Sequence, residues 1–201
     1  MTEGTESEFP TASQLVDLVH HYLPANIWES EPGYGATPEY QRLKAARSAA
    51  AETGKERWKA LLARLREEVP QCKVEDWTIL ISDNCWRVRL LLPDRVPVEG
   101  GGEEFRYVVG LVSIFAPVAA TYTSFKQRIA EHRWRPSQTF YEPVPATREY
   151  EEVLVRLLCE ELGAPRLPNE TLFTPVPDIQ YRCVAMKEAR LIDCLFTDDR
   201  W

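Results

Sequence analysis

Three histidines, five cysteines and a scatter of serines are the residues through which this 201-residue chain could do nucleophilic or metal chemistry. A nucleophilic hydrolase needs Ser or Cys beside a base and an orienting acid. The Gly-x-Ser-x-Gly elbow is absent, and Ser82, Ser113 and Ser124 sit in or beside strand-like runs without supporting glycines. A Cys85–His132 pair is the candidate for thiol chemistry, and nothing in the sequence brings the two together. His20 and His21 are neighbours on a helical stretch. They point about 100° apart and cannot chelate as an i, i+4 pair would. Cys72, Cys85, Cys159, Cys183 and Cys194 are odd in number, lack C-x-x-C spacing and sit mostly among apolar residues. They read as reduced thiols that behave as small hydrophobes and bind no metal.

Other signals are weaker. The run Glu99-Gly100-Gly101-Gly102-Glu103-Glu104 has glycines, but acids flank them and a strand follows, whereas a phosphate cradle wants positive dipoles and a helix. Paired acids such as Glu67-Glu68, Glu151-Glu152 and Asp198-Asp199 have the look of solvated faces. His132-Arg133-Trp134-Arg135 interleaves bases with an aromatic, but the stretch is short and isolated in an acidic chain. The expectation is a chain with no catalytic residues, no cofactor and no metal. An enzyme built on Cys85 and His132 is the third reading.

The formal charge is −7. Nucleic acid and anionic membrane are both polyanions, so this balance argues against either as a partner and permits a basic protein. The opening residues Met1 to Glu8 are acidic and polar, unlike a secretory signal, and no apolar run approaches the roughly 18 residues of a membrane helix. The expected location is the cytoplasm.

Aromatic residues are the unusual feature: six Trp, eight Tyr and seven Phe, with Trp28, Tyr34, Phe140, Tyr141, Phe173 and Trp201 outside regular elements. Loop aromatics either plug a core edge or anchor a partner. The loop from Asn26 to Tyr34 joins aromatics with acids. Its Trp28, Glu29, Glu31 and Tyr34, with Glu103 and Glu104 beside the glycine run, are the candidate partner-binding residues.

These groups must be positioned by the elements the chain can form. Residues 1–10 read as a loose tail on a single domain spanning 1–201. Thr11 and Gln14 have capping-box spacing before a helix with Leu15, Leu18, Val19 and Tyr22 on one face. Thr37-Pro38 starts a second helix with a weak apolar face, ending at Gly54. A third carries Trp58, Leu61, Leu62, Leu65 and Val69. The period then falls to 2, predicting a hairpin with arms at 77–81 and 86–92. A central strand is expected at 105–115, apolar on both faces near its middle, and a fourth at 118–125. Lys126 to His132 reads as a short helix. Thr147 is placed to cap the clearest helix, with stripe residues Tyr150, Val153, Leu154, Leu157, Leu158 and Leu162, closed by Gly163. Residues 179–184 and 191–196 read as two last strands. The sum is an α+β fold, with an antiparallel sheet of about four to six strands and helices packed mainly on one face.

The Thr37-Pro38-Glu39-Tyr40 helix start and the closing Asp193-Cys194-Leu195-Phe196-Thr197-Asp198 resemble features of the immunity proteins of bacterial polymorphic-toxin systems, as does the whole acidic, catalytically bare chain. The resemblance implies a protein that binds a toxin domain and occludes its active site; the acidic surface suits a basic one. It carries no binding residue across. A non-enzymatic adaptor or structural interaction module shares every compositional feature.

Overall fold

The computed structural model describes residues 9–200. The expected tail over residues 1–10 falls almost wholly outside that range, as does Trp201.

Helix α1, Ala12–Tyr22, opens on the capping box: Gln14 N–H donates to Thr11 Oγ1 at 3.2 Å and Thr11 N–H to Gln14 Oε1 at 2.7 Å. It buries Leu15 and Val19. Helix α2, Pro38–Thr53, starts with Pro38 in its first turn and Thr37 Oγ1 accepting from Tyr40 N–H. Leu43 is its one buried residue, as its weak stripe implies. Helix α3, Lys55–Glu68, follows across Gly54 and buries Trp58, Leu61, Leu62 and Leu65. A Cβ on Gly54 would lie 2.8 Å from the Trp86 ring, so the two helices can meet the sheet this closely only at a glycine.

Among the described residues the sheet is antiparallel throughout and has seven strands: β1 Lys73–Asp76, β2 Cys85–Leu91, β3 Val96–Val98, β4 Gly102–Ser113, β5 Ala119–Ala130, β6 Arg133–Trp134 and β7 Gln138–Phe140. The path runs β1-β2-β4-β5-β6, with β3 beside β4 and β7 beside β5. Helix α4, Arg148–Leu162, ends at Gly163, left-handed at φ 63°. Short helices α5, Asn169–Leu172, and α6, Leu191–Leu195, complete the chain.

Both faces of the sheet are covered. Val88, Leu90, Val108 and Val112 pack with Leu61 and Leu65 of α3 and Leu154, Leu157 and Leu158 of α4. Cys85, Val109, Leu111 and Tyr122 pack with Leu15 and Val19 of α1 and Leu191 and Leu195 of α6. The continuous apolar centre of β4 requires this, because alternate residues there point to opposite faces. The α+β class and antiparallel sheet are as the sequence implies; the strand count is seven, and helices lie on both sides rather than mainly on one.

Five local expectations are corrected. The first hairpin arm is Lys73–Asp76, not 77–81: Thr78 N–H donates to Asp76 Oδ1 in an Asx turn, and the chain leaves the sheet there. Residues 126–132 contain no helix, because β5 continues to Ala130, pairing Lys126, Gln127 and Arg128 with Phe105, Glu104 and Glu103. Residues 191–196 form a buried helical turn, and 179–184 hold one isolated bridge, Tyr181 to Val184. Short apolar runs do not distinguish strand from buried helix by period alone. The Thr147 hydroxyl does not cap α4; it lies 3.0 Å from the Thr123 hydroxyl, buried under the helix.

Candidate functional site

The six sequence candidates do not form one surface. Glu103 and Glu104 lie near the start of β4, ten residues from Ser113, which pairs with Cys85. At roughly 3.3 Å per residue that is about 33 Å along the strand. Glu104 is buried, accepting from Arg106 Nε at 2.9 Å and Gln127 Nε2 at 3.0 Å. Glu103 pairs with Arg128 across the register at 2.7 Å. Both are held within the sheet. Cys85 and His132 are also at opposite ends: Cys85 is fully buried beside Ser113, and His132 is exposed beyond the end of β5. They form no dyad. Among the described residues, no three His, Cys, Asp or Glu side chains cluster as metal ligands would, and no helix is long and apolar enough to cross a membrane.

The other four candidates sit between α1 and α2 on a loop tied down at several points. Asn26 N–H donates to Asp178 O at 2.7 Å. Glu29 N–H donates to Gln180 Oε1, and Arg182 N–H donates back to Glu29 Oε1 at 3.0 Å. Glu31 Oε1 accepts from Trp28 N–H at 2.8 Å. These bonds leave Trp28 45% exposed, with Glu29 and Glu31 also at the surface. Tyr34 is corrected from contact residue to core plug: it is buried, its ring 5.1 Å from that of Tyr40. Burial pushes its hydroxyl pKa up.

The sequence reading missed the feature beside this loop. Having left the sheet at Thr78, the chain loops to Asn84, and α2 grips the loop through one side chain. Arg47 donates from Nη1 to Ile81 O at 3.2 Å, from Nη2 to Ser82 O at 2.7 Å, and from Nε and Nη2 to Asn84 Oδ1 at 3.1 and 2.9 Å. Asn84 is itself fixed to the C-terminal segment, donating from Nδ2 to Cys194 O at 2.8 Å. Tyr181 OH donates to Ser82 O.

Below lies a buried ionic cluster. Asp83 accepts from Arg87, from Arg182 Nη1 at 2.8 Å and from Thr197 Oγ1 at 3.1 Å. Arg182 also pairs with Asp198 at 2.9 Å. Removing one partner would leave a buried charge unmatched, so the cluster locks the loop to the body of the protein.

On this frame Ile79 is 45% and Ile81 87% exposed. The alternation Trp77, Ile79, Ile81 that suggests a strand places its aliphatics in solvent instead. Two shallow clefts flank Tyr40 and Arg47. One of about 380 Å³ runs between α2 and Leu80-Ile81; one of about 250 Å³ lies between Glu29, Tyr34 and Arg182. They join the Trp28 loop and the Ile79–Ile81 loop into one face.

No family model, curated protein or solved structure matches the chain. The face is therefore interpreted from its own geometry. It offers exposed apolar side chains, two acids and a rigid backbone, which is equipment for binding a surface.

Proposed function

We propose that the protein binds and occludes another protein through this face, and that the partner is a basic toxin domain, making the chain a cytoplasmic immunity protein. The observation that carries the reading is the presentation of Ile81, 87% exposed on a loop that Arg47 holds at three residues. A large aliphatic held in water has no folding benefit, and a loop already ordered adds little ordering cost when a partner covers it. Trp28 adds an aromatic anchor, a residue type that dominates interface energetics.

Charge is compatible with a basic partner. Arg182 is paired with Asp83 and Asp198, while among the described residues Glu29 and Glu31 accept hydrogen bonds from backbone N–H groups alone and keep their charge at the surface. With the −7 of the whole chain, this field would speed association with a cationic surface.

The test asks whether a toxin domain is encoded beside the gene for this chain and, where one is, expresses the two together. Co-expression should restore growth of cells making that domain. Ile79→Ser with Ile81→Ser should abolish the protection while leaving the amount of folded protein unchanged. Persistent growth arrest with the wild-type chain would contradict the immunity reading. Binding without relief of toxicity would instead support an adaptor.

A further inference from the structure

A third cleft lies on the α3/α4 side of the sheet, away from the proposed partner face. It is about 430 Å³ and is lined by Arg148, Glu151, Glu152 and Val155 of α4 together with Arg166. Its floor is a buried relay. Arg166 Nε donates to Thr121 Oγ1 at 2.7 Å, and Thr121 donates in turn to Glu151 Oε1 at 2.8 Å. Thr121 is fully buried and Glu151 is 6% exposed. Arg166 is fixed further, its Nη2 donating to Tyr141 O at 2.7 Å and Asn169 Oδ1 at 3.0 Å.

Hydrogen-bonding capacity is left over at this site. Among the described residues, nothing takes the Nη1 hydrogens of Arg166, nothing donates to Glu151 Oε2, and Arg148 and Glu152 have no ion-pair partner. Arg156, at the rim, is neutralised from outside by Glu68 and Glu160. Arg166 Nε and Glu151 Oε1 already face each other as an ion pair at 3.9 Å, so the cleft offers the outer Nη1 edge of that guanidinium and the Oε2 of that carboxylate, together with the Arg148 and Glu152 side chains and Val155 as an apolar wall. A simple anion would lie against Glu151 and Glu152. A simple cation would lie against Arg148 and Arg166. A ligand carrying both charges meets each with its opposite, through charge-assisted hydrogen bonds.

We propose that this cleft binds a small zwitterion of the α-amino-acid class, its carboxylate on Arg166 and Arg148 and its ammonium on Glu151. The volume is near the lower end of the range for small-molecule sites, as such a ligand requires. Nothing in this proposal rests on the partner face.

The experiment is isothermal titration of the full chain with individual L-amino acids, followed by acetate, propylamine and inorganic phosphate. At least one amino acid should bind saturably, and its deamino and decarboxy analogues should bind at least about tenfold more weakly. Arg148→Gln removes an exposed, unpaired side chain, so the fold should persist while affinity falls by about tenfold or more. Ile79→Ser with Ile81→Ser should leave this binding unchanged. The proposal is overturned if no amino acid binds at millimolar concentration, if Arg148→Gln binds as wild type does, or if acetate or phosphate binds as tightly as the zwitterion.

Discussion

Arg47 meets the Asn84 side-chain carbonyl twice, from Nε at 3.1 Å and from Nη2 at 2.9 Å, and so couples a weakly packed helix to the loop that carries Ile79 and Ile81. Asn84 is fully buried, so the contact is also a matter of satisfying a polar group that water does not reach. Arg47→Ala should cost about 1–3 kcal/mol through the acceptor left unpaired. Its sharper signature is local. The Ser82 and Asp83 amides, both donating to Ile79 O, should lose hydrogen-exchange protection while the β4 and β5 amides keep theirs. Uniform loss across the molecule would mean that Arg47 supports the global fold and not this loop.

Trp28 and Tyr34 share a loop but not a role. Trp28→Ala should change stability by less than about 1 kcal/mol, since the ring is half in solvent. Tyr34→Ala should cost about 3 kcal/mol or more, as other buried aromatic truncations do. Urea unfolding of the two variants decides; equal losses would place both rings in the core.

Helix α4 gives two further contrasts. Leu157 is fully buried against the sheet, so Leu157→Ala should cost about 2–5 kcal/mol. Thr147 acts through its hydroxyl pair with Thr123, not as a cap. Thr147→Val alone should therefore cost about 1–3 kcal/mol, and Thr123→Val in the same chain should recover part of that loss. Strict additivity in the double-mutant cycle would show that the pair does not interact.

Much of this architecture is legible in the residues. The Thr11/Gln14 box, the Thr37-Pro38 start and the Gly163 stop are local chemistry, and each is found where its residues stand. What escapes is non-local. No property of Ile79 or Ile81 signals that they leave the sheet; that follows from an Asx turn at Asp76 and from Arg47, 34 residues before Ile81 in sequence. Glu104 looks like a free surface acid because the strand that aligns Arg106 with it, two residues on, is not evident locally, and Gln127 reaches it only once strands β4 and β5 pair. Likewise Thr121, Glu151 and Arg166 lie far apart in the chain and meet only through the packing of α4 on the sheet.

Alkaline stability follows from the thiols. Burial pushes the Cys85 and Cys194 thiols well up and that of Cys72 to about 11. Folded thiols keep their protons while unfolded ones ionise, so this stabilisation is complete below pH 9 and is lost as pH rises through 9 and beyond. The slope is about 1.4 kcal/mol per pH unit for each fully buried thiol. Lys126 opposes it: burial, aided by Arg89, lowers its ammonium to about 8, which adds stability as pH rises from 8 towards 10.5. Urea unfolding from pH 8 to 11 should show a net fall above pH 9, steeper in Lys126→Met. A flat profile would contradict the burial of these thiols.

Thiol reactivity gives an independent check. Cys159 and Cys183 are exposed, while Cys72, Cys85 and Cys194 are buried, and all five are free. An aromatic disulfide reagent should modify two thiols quickly in the native protein and the other three only after unfolding. Three or more fast thiols would mean that one of the buried cysteines is open to solvent.

The most direct test of the proposed binding face is the dissociation constant of the purified chain for its proposed partner, a toxin domain sought among the genes adjoining its own, measured for the wild type and for Ile79→Ser with Ile81→Ser. Burying an aliphatic side chain of this size contributes about 1.5–3 kcal/mol, so the double variant should bind at least about tenfold more weakly while unfolding at the wild-type urea concentration. Equal affinity of the two proteins would show that this face is not where the partner docks.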